Sequence, residues 1–134
     1  MKPANERWTI AVDFDGVLHS YTSPWVNEYT IPDPPVPGAI AWLGEMSKKF
    51  DVVIFTTRGK TSRGRMAVKK WLWEHGVSAP GADTWSDLPY RVTHEKPPAL
   101  VYLDDRAMRF EGTFPTAAEV HAARPWNKRK EEAK

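Results

Sequence analysis

The chain has 134 residues, 41% of them hydrophobic and 27% charged, with a formal net charge of +2 and no cysteine. These are globular values for one domain with a single core, and so small a charge does not by itself argue for a nucleic-acid partner. Without cysteine, disulfide frameworks, cysteine-bearing zinc sites and thiol catalysis are excluded.

Met1 to Arg7 has no apolar core behind it, so no signal peptide is expected. Apolar runs such as Val52-Val53-Ile54-Phe55 are too short to span a bilayer. The expectation is a soluble, cytoplasmic protein with no membrane partner. A buried strand is predicted over residues 8 to 14, an apolar, β-branched run. The following segment, about 17–37, holds Pro24, Pro32, Pro34, Pro35 and Pro37 and reads as a loop, with a flap around His19 to Thr30. Ile40, Leu43 and Met46, with Trp42, recur at helical spacing and predict a helix from Gly38 to Lys49. Asp51 to Thr57 is a second buried strand. Residues 62 to 75 form a second helix, with Met66, Trp71, Leu72 and Trp73 as apolar positions and Gly76 as its stop. His75 is expected at the end of that helix.

The stretch 77–98, rich in proline and glycine, reads mostly as loop. Ala99 to Leu103 predicts a third buried strand, ending in Asp104-Asp105. An extended piece near Phe110 and a helix from about Thr116 to Ala123 would complete the domain. Residues 124–134, with Lys128-Arg129-Lys130 in a row, read as a solvated basic tail. Strands alternating with helices imply an α/β fold: a Rossmann-like parallel sheet sandwiched by helices, in one domain over 1–134.

The chemistry begins at Asp13-Phe14-Asp15-Gly16. In a strand, side chains two positions apart share a face, so both carboxylates emerge together at the strand's carboxyl end. Open α/β sheets place their ligands there. Adjacent carboxylates repel unless a cation or a shared proton offsets them, so the economical reading is a magnesium site with a nucleophile and a general acid. Two more strands end in functional groups: Thr56, Thr57 and Arg58, then Asp104 and Asp105. In a parallel sheet all three ends lie on one edge. A calcium loop does not fit, because the next ligand position is Val17 and no helix precedes the site. There is no Walker loop, no kinase Asp-Phe-Gly triplet and no Gly-rich dinucleotide fingerprint.

On these motifs the chain resembles the haloacid dehalogenase-like (HAD) phosphohydrolases over almost its whole length. Motif one is Asp13-Phe14-Asp15-Gly16-Val17, motif two Thr56, motif three is best matched by Lys96, and motif four is Leu103-Asp104-Asp105-Arg106. The resemblance implies a HAD-like fold and a phosphomonoesterase in which Asp13 attacks phosphorus and carries an aspartyl phosphate. Asp15 would protonate the leaving oxygen and then take a proton from water. Mg²⁺ would be held by Asp13, the Asp15 backbone carbonyl and a motif-four carboxylate. Analogy with nucleotidases of the Asp-Asp-Arg form favours Asp105 as that ligand, leaving Asp104 to orient Lys96 or a metal-bound water. Thr56 and Lys96 would hold the phosphoryl oxygens, and Arg58 would add a bidentate phosphate contact.

Many relatives insert a cap domain that segment 17–37 is too short to supply, so a minimal cap is expected. On this flap, Trp25, with Tyr21 and Tyr29 nearby, is either packed on the domain or stacked on a base or sugar, and His19, the histidine nearest the site, is a candidate substrate contact. The leading substrate is a nucleotide or the phosphorylated end of a nucleic acid, with a sugar phosphate as runner-up. A noncatalytic phosphate-binding or adaptor module is the alternative from another class. The Asp13-Asp15 pair argues against it, since binding alone needs no general acid.

Overall fold

The computed structural model describes residues 7–126. Strands β1 (Thr9–Val12), β2 (Asp51–Phe55), β3 (Arg91–Thr93) and β4 (Val101–Leu103) form one parallel sheet in the order β3-β2-β1-β4. Helix α1 (Ala39–Lys49) connects β1 to β2, α2 (Ser62–Glu74) connects β2 to β3, and α3 (Ala117–Ala122) follows β4. This is an α/β architecture of Rossmann-like character.

The register explains the core. Ile10 lies beside Val52, Val12 beside Ile54, and Ile54 beside Val92, so these side chains share one face of the sheet. That face packs on Leu43 of α1 and on Val68, Trp71 and Leu72 of α2 in one apolar cluster. Thr61 caps α2 by accepting from the Gly64 amide, and His75 closes the helix as expected. Trp71 is core, its indole N–H donating to the Asp33 carbonyl, while Trp42 and Trp73 pack at the core's margin.

Four expectations are corrected. The stretch 77–98 contains β3, a strand too short to announce itself between prolines, which forms because β2 offers a complete ladder beside it. β4 is not buried: Val101, Tyr102 and Leu103 are 52%, 39% and 44% exposed, because among the described residues only β1 flanks it and no helix covers it. Phe110 lies in no strand; its ring packs on Phe114 at 4.9 Å between centroids. The two-sided sandwich is incomplete among the described residues, since α3, although it forms where expected behind a Thr116 capping box, buries none of its residues. Of the basic tail only Arg124 to Trp126 lies among the described residues. No helix among them is long and apolar enough to cross a membrane.

Candidate active site

Pairing of β1 stops at Val12, and the chain turns sharply where its carboxylates begin. Phe14 points into the core, fully buried, its ring stacked on His19 at 5.5 Å and edge-on to Trp71 at 5.1 Å. Driving Phe14 inward aims Asp13 and Asp15 the other way, into a cleft of about 400 Å³. Thr56, at the end of β2, and Asp104 and Asp105, after β4, line the same cleft. The three strand ends expected to meet at one edge do meet.

Asp13, Asp104 and Asp105 can bring carboxylate oxygens within 4.8 Å of one another. Gly16 makes this possible. Its φ of +85° belongs to the left-handed region, and a side chain there would run into the Asp105 carboxylate. The Asp104 carboxylate also accepts from the Arg106 amide at 2.7 Å, which fixes the turn. So much negative charge in one place has a consequence for Asp13. Burial first, then its hydrogen bond to Asp105 and the charges of Asp104 and Asp105, outweigh the Phe14 amide and push its carboxyl up from 3.8 to about 8. A divalent cation would relieve this crowding, and three carboxylates suit the hard-oxygen preference of Mg²⁺.

Between pH 3.8 and about 8 the unfolded Asp13 is ionised while the folded one keeps its proton. Its contribution to stability is therefore present below 3.8 and lost as pH rises through about 8. In chelator, Asp13→Asn should gain in Tm relative to the parent on going from pH 5 to pH 8, and saturating Mg²⁺ should remove that gain. A Tm difference that ignores both pH and Mg²⁺ would show that Asp13 is not strained by its neighbours.

Asp15 is held apart from this cluster. Its carboxylate accepts from Arg58 Nε at 3.0 and 2.9 Å and from His19 Nδ1 at 2.8 Å. His19 has its other nitrogen facing the Asp33 amide, which donates to Nε2 at 3.1 Å and so leaves Nδ1 to donate to Asp15. His19 is thus wholly buried and orients Asp15 rather than reaching a substrate. Arg58, expected on phosphate, is 1% exposed and turned onto Asp15 and the flap, away from the cleft wall. Lys96 is the third departure. Its ammonium sits 4.7 Å from the Tyr102 ring and lines a neighbouring cleft with Phe55 and Asp104, not the one that holds Asp13. Trp25 packs on the domain on one side, its ring covering the Arg58 guanidinium at 4.5 Å, and is otherwise 48% exposed and lines the cleft.

The cleft also has walls that sequence reasoning passed over. His94 follows β3 directly, so the missed strand hid a fourth strand end at the cleft. Arg106 and Thr57 were visible beside their motifs without an assigned role, and Tyr21 on the flap faces the same space. Trp126 docks at the rim, its indole N–H donating to the Gly16 carbonyl at 2.7 Å. No family model, no curated protein and no solved structure matches the chain.

Proposed function

We propose that the chain is a Mg²⁺-dependent phosphomonoesterase with the chemistry and fold of the HAD phosphohydrolases, acting on a nucleotide or a phosphorylated nucleic-acid end. One observation carries this reading. Two carboxylates two residues apart occupy different environments, Asp13 in an acidic cluster with Asp104 and Asp105, Asp15 between a guanidinium and an imidazole. Paired carboxylates with divided surroundings mark divided roles.

In the proposed mechanism an Asp13 oxygen attacks phosphorus as the bond to the leaving oxygen breaks. Asp15, carrying a proton from solvent, gives it to that oxygen. Water then attacks phosphorus, its proton passes to Asp15, and phosphate leaves with Asp13 restored. Thr56 is buried and its oxygen already accepts from the Arg58 amide at 3.2 Å, which leaves its hydroxyl proton to donate to a phosphoryl oxygen. Asp13, Asp104 and Asp105 would hold a Mg²⁺, whose charge would offset that of the carboxylates and the phosphoryl group.

The test is a Mg²⁺-supplemented phosphatase screen over nucleotides, sugar phosphates and phosphorylated oligonucleotides. Turnover is expected, strongest among nucleotides and oligonucleotides; binding without turnover would instead make the chain a phosphate-binding module. Trp25, exposed, and Tyr21, half-buried, both line the cleft and support the nucleotide side of the reading. Trp25→Ala should cost kcat/KM for the nucleotide-like substrate about 1–3 kcal/mol, the range for stacking on a base. A small aryl phosphate should be affected much less. Equal losses on both would mean that Trp25 serves the scaffold alone.

A further inference from the structure

The buried Arg58 spends its donors on two groups that belong to different parts of the site. Nε reaches both oxygens of Asp15, at 3.0 and 2.9 Å. Nη1 reaches three backbone carbonyls of the flap, those of Asn27, Glu28 and Thr30, at 3.1, 3.2 and 3.0 Å. The guanidinium is a rigid plane, so the two ends cannot be re-aimed independently. Its own backbone is also fixed. The Arg58 amide is bonded to Thr56, and the Arg58 carbonyl is packed so tightly on Gly64 that no side chain fits there.

Asp15 therefore rests on two supports of unlike stiffness. His19 is wedged between Phe14 and Trp71 in the core and backed by Asp33. Arg58 owes part of its pose to the flap, a loop with no strand or helix of its own between Tyr21 and Thr30. If residues 27–30 lift, Nη1 loses its acceptors, and a buried guanidinium left short of partners is costly. The face of that same guanidinium is covered by Trp25, the flap side chain that borders the cleft.

We infer that Arg58 is a positioning residue that makes the aim of Asp15 conditional on a seated flap, so that a substrate resting against Trp25 also sets the proton donor. This rests on the phosphomonoesterase reading above. The coupling runs through one two-ended side chain: whatever favours the flap-down pose favours the Asp15 pose, and the reverse.

The experiment compares the parent with Arg58→Lys, which keeps the charge but cannot span both partners, on an alkyl phosphate and an activated aryl phosphate. The alkyl ester needs a proton on its leaving oxygen; the aryl ester barely does. If the parent hydrolyses neither ester, the phosphomonoesterase reading fails. If it hydrolyses both, Arg58→Lys should lose at least about tenfold more kcat on the alkyl than on the aryl ester, a gap that an Asp15→Asn background abolishes. Amide hydrogen exchange at residues 27–31 should quicken in the same variant. Should Arg58→Lys not fold, Arg58→Gln, which removes the buried charge and keeps donors, takes its place in every arm. Equal losses on the two esters, or unchanged exchange in the flap, would overturn the inference.

Discussion

Asp13→Asn is expected to lower Mg²⁺-dependent hydrolysis of a generic aryl phosphate by roughly a thousandfold or more, about 4 kcal/mol of barrier. The amide keeps the shape of the carboxylate but cannot attack phosphorus, and no neighbouring group can take over. Asp104 and Asp105 belong to the acidic cluster, and Asp15 is tied to Arg58 and His19. The fold should survive, because Asp13 is an unfavourably crowded carboxylate whose charge the apo protein suppresses. Circular dichroism separates the two outcomes: a folded variant with parental turnover would remove Asp13 from the mechanism.

The second large effect is on the metal. Asp105→Asn should raise the Mg²⁺ half-saturation of activity by about tenfold or more, since one of three anionic oxygens is lost from a hard-cation site. Gly16→Ala should act in the same direction from the other side of the contact. Its new methyl would occupy the space of the Asp105 carboxylate and would sit on a backbone of φ +85° that alanine tolerates poorly. Titrating Mg²⁺ against initial rate in each variant measures this. An unchanged half-saturation in Asp105→Asn would remove Asp105 from the ligand set and leave Asp13 and Asp104.

What could be read from the sequence, and what could not, follows from the range of the interactions. β1, β2, α1 and α2 were legible because each carries its own signal, a β-branched run or an apolar stripe at helical spacing. β3 has three residues and owes its existence to β2, which no local pattern reports. β4 looked like a buried strand because its residues are apolar; its position at the sheet's edge is a property of topology.

The site divides in the same way. Asp13, Asp15, Thr56, Asp104 and Asp105 were expected together because strand ends of a parallel sheet must share an edge, and they do line one cleft. Arg58, His19 and Lys96 are placed otherwise than expected, since nothing in a linear chain says whether a side chain beside a motif turns toward ligand or toward its neighbour. Arg58 lies 43 positions from Asp15, and Asp33 lies 14 from His19. The flap's loop path, which brings these together, is set by tertiary contacts.

If the phosphoryl group passes through Asp13, the stereochemical course at phosphorus will record it. The substrate is a phosphate monoester made chiral by its oxygen isotopes, and the acceptor is an alcohol that replaces water. Two successive in-line displacements, one onto Asp13 and one off it, predict overall retention of configuration in the presence of Mg²⁺. Inversion would mean a single direct transfer to the acceptor, and the covalent role of Asp13 would have to be abandoned.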